Sequence, residues 1–261
     1  MREEERRTLI VDSHAIVGNG QSWTFPPRPV AEELEYLLER GAEAGIDRHC
    51  IVAARTEDCP SANKHVALLC RRSPEKFIGV AAHHPEREAG HLRRRLFEEV
   101  RSEGLRAVRS DGHPTRELLD AAMELRIPVI YYPELESGLG PARWFHTMAA
   151  AYPRVNFILP HLGFFGSYVW WPHMEALDLV KRYSNVYIDT SGIGSWKYLE
   201  MAVRELPQER ILFGTGAPAL DPRVEMHAMH LLKLTPRQRA DILGGNVLRL
   251  MRSDSGLEDL R

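Results

Sequence analysis

No stretch of this sequence approaches the ~20 consecutive apolar residues that a helix needs to span a bilayer, so no transmembrane segment is expected. Its first residues, MREEERR, are a mixed-charge run without an apolar centre, and no signal peptide is expected either. Cysteine is scarce. Cys50, Cys59 and Cys70 are odd in number and form no CxxC pair. That argues against a disulfide framework and for reduced thiols in a cytoplasmic protein. Cys50 sits in an apolar run and reads as core, which leaves Cys59 as the one cysteine with a weak case for a metal role. An excess of either charge is also missing. The 34 basic and 36 acidic residues leave a net charge of −2, which gives no footprint for nucleic acid or an anionic membrane. There is no low-complexity linker and no glycine-rich dinucleotide fingerprint; GNG at 18–20 is too short for one.

What is present is an alternation. Short apolar runs occur at 9–14, 49–55, 77–83, 105–110, 128–132, 155–161, 186–191 and 211–215. Amphipathic segments fill the gaps: 30–44, 61–72, 88–101, 115–125, 142–151, 172–181, 196–204 and 223–234, with a last one at 236–251. The first set has the length and residue types of buried parallel strands and the second has helical periodicity. Eight such units in 261 residues predict one α/β domain, a single (β/α)8 TIM barrel. Its core is expected from about residue 8 to 251, with polar ends at 1–7 and 252–261.

Chemistry in a barrel gathers at the C-terminal ends of the strands. Here those ends carry His14, Arg55, His83 with His84, Arg109, Tyr132, His161, Asp189 and Thr215. A ring of polar residues converging on a barrel axis reads as a small-molecule site.

Several segments resemble one family. IVDSHAIVG, FIGVAAHHP, IPVIYYPE, VNFILPHLG, NVYIDTSG, ILFGTGAP and the closing ILGGNVLRLM are similar, in order, to the amidohydrolase-related family, the "amidohydrolase 2" branch of the amidohydrolase superfamily. The resemblance implies a (β/α)8 barrel and a divalent metal held by an HxH pair after the first strand, a His after the fifth, a His after the sixth and an Asp after the eighth. His14 and His161 match that pattern. Ile16 stands where the second His belongs, Tyr132 where the fifth-strand His belongs, and Gly216 where the Asp belongs. Two histidines fall short of the three protein ligands of a catalytic zinc. The expectation is therefore an enzyme without a tightly bound metal. The alternative is a zinc or manganese ion on His14 and His161, with Asp189, Glu134, His84 or Asp221 recruited as a substitute ligand.

His14, His161 and Asp189 are the candidate catalytic residues. Each also has a plainer reading. His14 shares inward parity with Asp12 on an ideal strand and could simply be held by it or by a neighbouring strand. Asp189 could serve its neighbouring backbone. Arg109, Arg55, Tyr132 and His84 are the candidate substrate-binding residues. The planar fork of Arg109 suits a carboxylate or a phosphate, and the resemblance suggests the carboxylate. Of the pair His83 and His84, only one can face the mouth. GTGAP at 214–218 either cradles a phosphate or merely leaves room. The aromatic run at 163–173 reads as a pocket wall or a homodimer contact. The leading functional expectation is a divergent hydrolase acting on a small carboxylated compound. Its rivals are a decarboxylase and a pseudoenzyme kept as a binding or interaction protein.

Overall fold

A computed structural model describes residues 9–18, 30–131, 142–163, 171–193 and 196–252. Eight strands lie side by side in chain order, each parallel to the next: β1 (Val11–Val17), β2 (Arg48–Ala53), β3 (Phe77–His83), β4 (Ala107–Ser110), β5 (Val129–Tyr131), β6 (Phe157–Leu159), β7 (Val186–Asp189) and β8 (Ile211–Leu212). The ring is drawn together where β8 and the residues after it meet β1. The N–H of Ser13 donates to the Phe213 carbonyl at 2.8 Å, that of Ile16 to Ala217 at 2.7 Å, and that of Gly216 to His14 at 2.8 Å. The helices between strands are α1 (Val30–Glu43), α2 (Cys59–Arg72), α3 (Leu92–Arg101), α4 (Arg116–Leu125), α5 (Ala142–Ala151), α6 (Trp171–Arg182), α7 (Trp196–Glu205) and α8 (Pro222–Leu231). This is the single (β/α)8 barrel that the alternation predicts. Among the described residues no helix is long and apolar enough to cross a membrane.

Strand residues alternate between two buried layers, as a pleat covered on both faces requires. Cys50, Val52, Ile78, Val80, Ala107 and Ile130 fill the barrel, while Ile51, Ala81, Val108 and Val129 face the helices. All three thiols are pushed up by burial, Cys59 and Cys70 to about 12, so none is a ready thiolate.

The closing segment departs from the single helix expected over 236–251. It runs as α9 (Pro236–Ala240), a π turn (Asp241–Gly245) and α10 (Asn246–Leu250). The cause is contact with the strands. The Ile242 carbonyl accepts from the Phe213 N–H at 3.0 Å, and the Asn246 amide donates to the Ile211 carbonyl at 2.7 Å. Gly244 approaches so closely that a Cβ there would lie 2.2 Å from the Leu9 carbonyl oxygen. Opening the helix by one wide turn lets its backbone serve β8, and Val247 and Leu250 then plug the barrel.

His83 turns away from the mouth into the helix layer. Its Nδ1 lies 3.0 Å from Glu88 Oε2 and its Nε2 lies 2.6 Å from Glu99 Oε2. Arg95 donates to Glu88 at 2.8 Å and Asn63 to Glu99 at 2.8 Å. Burial opposes a charge on this ring, but the two carboxylates outweigh burial and hold His83 up to about 9. A group raised in the folded state stabilises it fully below the unfolded imidazole value of ~6.5 and loses that contribution as pH rises through the folded value. Urea denaturation should therefore show stability falling between roughly neutral pH and about 9 in the native protein, and His83→Gln should flatten that part of the curve.

Candidate active site

Strand β1 builds the site through a defect in its register. Asp12 pairs with His49 and Ala15 with Ile51, so β1 takes three steps where β2 takes two. This bulge separates two side chains that an ideal strand would point the same way. Asp12 serves the strand staves. Its Oδ2 accepts from His49 Nδ1 at 2.9 Å and from the Thr215 hydroxyl at 2.7 Å, and its Oδ1 accepts from the N–H groups of Thr215 at 2.8 Å and His14 at 2.9 Å. The reading in which Asp12 holds the His14 side chain is thereby corrected: Asp12 grips only the backbone of His14. The imidazole is re-aimed towards β7.

There it meets Asp189. His14 Nδ1 lies 3.1 Å from Asp189 Oδ2 and 3.1 Å from Ser191 Oγ. His161 Nδ1 lies 2.9 Å from the Ser191 carbonyl and 2.9 Å from its hydroxyl. The two imidazole rings stand 4.9 Å apart, and His14, His161 and Asp189 are 5%, 6% and 1% exposed. A carbonyl only accepts, so His161 carries its proton on Nδ1. Donation to the carboxylate places the His14 proton on Nδ1 as well. Each ring then has Nε2 as its basic nitrogen.

Asp189 Oδ1 is occupied too. It accepts from the N–H of His161 at 3.0 Å, the N–H of Ser191 at 2.9 Å and the Ser191 hydroxyl at 2.5 Å. The first of these holds a strained turn. His161 and Leu162 adopt φ values of 55° and 51°, in the left-handed region that side chains avoid. Such residues cost of order 1–3 kcal/mol each, and a hydrogen bond to a charged group returns a similar ~1.5–3 kcal/mol. Gly163 follows at φ 88°, and a Cβ there would meet that of Ala176 at 2.7 Å. The PHLG motif is thus a turn that sets the His161 ring beside His14.

Charge in the site is fixed by burial and by neighbours. Burial, helped by His14, lowers His161 to about 4, so it is neutral at ordinary pH. Burial alone would raise Asp189, but His14 and the hydrogen bonds outweigh it and hold the carboxyl at about 2. Gly214 leaves the space this pair needs, since a Cβ there would fall 3.2 Å from both Asp189 Cγ and His14 Cβ. Gly216 lies beside His161, its would-be Cβ 3.8 Å from His161 Cε1. The GTG run leaves room for side chains at both glycines.

The other named residues fall elsewhere on the mouth. Arg109 has barrel-facing parity on β4 and donates to Asp111 Oδ2 at 2.7 Å. Arg55 Nε lies 3.5 Å from Asp111 Oδ1. The His84 ring rests on Gly112. Tyr132 and Glu134 lie outside the described residues, as does 164–170 of the aromatic run; of its flanks, Trp171 is among the exposed large apolar residues. One residue escaped the sequence reading. Glu225, in the first turn of α8, accepts from the Gly192 N–H at 3.3 Å, and burial lifts it to about 7 with help from Asp189 and Asp12. No pattern in the sequence singles it out.

His14, His161 and Asp189 each offer a ligand atom, all within 4.8 Å of one another. Two imidazoles and a carboxylate are a donor set that suits a first-row divalent ion. Asp189 therefore supplies the third donor that the expected two-histidine site lacks, and the donor set fits a metal.

A family model described as amidohydrolase matches residues 21–252. No curated protein sequence matches the chain. Among solved structures, 5-carboxyvanillate decarboxylase from Sphingomonas paucimobilis superposes with a TM-score of 0.71 at 15% identity, over 94% of this chain and 99% of that one. Dihydroxybenzoic acid decarboxylase from a Polaromonas species, solved with manganese and the inhibitor 2-nitroresorcinol, gives 0.71 at 17% identity over 94% and 97%. 4-Oxalomesaconate hydratase from Rhodopseudomonas palustris gives 0.69 at 16% identity over 93% and 95%. At these identities the likeness is one of fold.

The depressed value of His161 makes acid destabilising. The unfolded chain takes up this proton near ~6.5, while the folded chain resists until about 4, so stability falls across that window as pH falls. Denaturation curves of the native protein and His161→Gln should differ in slope between those limits and run parallel above them.

Proposed function

The chain belongs to the amidohydrolase family, and from that premise we propose that it is an enzyme that hydrolyses a small carboxylated compound at the C-terminal mouth of its barrel. The observation that carries this reading is the buried Asp189–His14 pair facing a neutral His161, with ring centroids 4.9 Å apart. An ionised carboxylate on Nδ1–H fixes the tautomer and orientation of the ring and stabilises the imidazolium that forms in the reaction.

His14 Nε2 takes a proton from water as the water oxygen bonds to the acyl carbon. His161, whose unprotonated nitrogen is an acceptor, orients the attacking water by accepting its second proton in a hydrogen bond. The proton on His14 passes to the leaving group as the scissile bond breaks, so water is divided between the two products. The substrate carboxylate is assigned to the arginine side of the mouth, at Arg55 and Arg109, with His84 and Tyr132 as further contacts. A divalent ion held by His14, His161 and Asp189 would supply Lewis-acid polarisation and a more acidic bound water. With such an ion bound His14 would be a ligand and not a general base, so the side-chain steps above belong to the metal-free protein.

A second reading is decarboxylation, favoured by the two decarboxylases among the structures of similar fold. The same imidazoles would then deliver a proton to the carbon that releases carbon dioxide.

Purified protein should be assayed against a panel of small carboxylated amides, esters and aromatic acids, with elemental analysis of the same preparation. His161→Ala should lower turnover by about 10²–10⁴-fold. Unchanged turnover in that variant overturns the catalytic assignment. Binding without any turnover favours a binding protein, and stoichiometric zinc or manganese lost in His161→Ala replaces the metal-free route.

A further inference from the structure

The turn after β7 is held partly from outside the strands. Ser191 and Gly192 form its corner, with Gly192 at φ 62° in the left-handed region that glycine enters freely. The Thr190 N–H donates to the Leu212 carbonyl at 3.0 Å and ties the turn to β8. The Ser191 N–H donates to Asp189 Oδ1 at 2.9 Å. The Gly192 N–H turns instead to the helix layer, where it donates to Glu225 Oε2 at 3.3 Å in the first turn of α8.

One peptide unit joins this contact to the candidate active site. The Ser191 carbonyl and the Gly192 N–H belong to the same plane and point in opposite directions within it. The carbonyl accepts from His161 Nδ1–H at 2.9 Å. The N–H is the end that Glu225 holds. Glycine at the second corner of a turn tolerates either orientation of this plane, since common turn types differ by its rotation. Rotated, the unit would present an N–H where the carbonyl now stands. His161 Nδ1 would then have to accept, with the ring proton on Nε2. The Ser191 hydroxyl, 2.9 Å from the same nitrogen, can donate or accept and does not decide between the two.

Glu225 stands where a carboxylate is costly. Burial and the like charges of Asp189 and Asp12 all oppose its ionisation, and the Gly192 N–H is the one described group that favours it. We propose that Glu225 is a positioning residue: by accepting from the Gly192 N–H it fixes the Ser191–Gly192 peptide plane with its carbonyl towards His161, and so selects the Nδ1–H tautomer of that ring. Its consequence for turnover rests on the reading that His161 Nε2 orients the attacking water.

Long-range 15N–1H NMR of the histidine side chains in the full chain tests the proposal without any turnover. In Glu225→Ala an Nε2–H form of His161 should appear beside the Nδ1–H form. Glu225→Gln keeps an oxygen acceptor at the same reach and should restore the native pattern. Both variants remove the carboxylate charge, so the difference between them reports the hydrogen bond and not the field. Val224→Ala, one position away on a residue that is 65% exposed, is the control and should change neither ring. In the native protein the Gly192 amide should exchange with solvent at least about 10-fold more slowly than an unstructured amide, a readout that needs no variant to fold. With any substrate that the panel yields, Glu225→Ala should lower kcat by about 10-fold or more and leave KM within about twofold, and Glu225→Gln should recover most of the loss. A His161 that stays wholly Nδ1–H in Glu225→Ala, a glutamine variant shifted as far as the alanine one, or an unprotected Gly192 amide overturns the proposal. Running His161→Ala alongside separates the two claims. If its turnover is unchanged while the His161 tautomer still depends on Glu225, the catalytic assignment fails and the positioning role stands. Turnover lost in His161→Ala with the tautomer indifferent to Glu225 is the converse.

Discussion

The Asp189 carboxylate is the constraint on which the mouth of this barrel depends. One oxygen accepts from Ser191 twice and from the His161 backbone, and the other holds the His14 ring. These bonds tie β7 to β1 and to the turn after β6. They also keep the carboxyl ionised despite near-complete burial. Without that charge the His161 turn would lose the bond that offsets its left-handed backbone, and His14 would lose its orientation. A single side chain thus sets the position of one histidine through its backbone and of the other through its ring.

Around this centre the mouth divides by strand. At the ends of β1, β6 and β7, His14, His161 and Asp189 form one buried cluster. After β2 and β4, Arg55 and Arg109 gather on Asp111 as an ion-paired cluster. The same fold gives Asp12 and His83 plainer tasks. Asp12 stitches β1 to β2 and β8, and His83 ties the helix layer together as a charged ring between two glutamates. Both sit within two residues of a site position, and only their direction off the strand removes them from it.

Direction is what the sequence conveyed least well. Length and periodicity placed all eight strands within a few residues, because a parallel strand buried on both faces is a short apolar run and each here is set off by a longer amphipathic segment. The helix at 236–251 was misread because its π turn answers to the Phe213 and Leu9 backbones, which no local pattern records. The β1 bulge was invisible for a similar reason. Nothing in DSHA says that one residue will be extra, yet that residue decides whether Asp12 or Asp189 holds His14. His14, His161 and Asp189 were each legible as strand ends. Their meeting was not, since it joins positions 175 and 28 residues apart. Glu225 came from the helix after β8 and had no motif to announce it.

The central claim is that Asp189 and Ser191 hold a proton on Nδ1 of both imidazoles and that Nε2 of His161 is unprotonated. Long-range 15N–1H NMR of the histidine side chains at neutral pH tests it most directly. The account predicts Nδ1–H signals for both His14 and His161, with the His14 signal displaced in Asp189→Asn. An Nε2–H tautomer on either ring, or a His161 imidazolium at neutral pH, would contradict it.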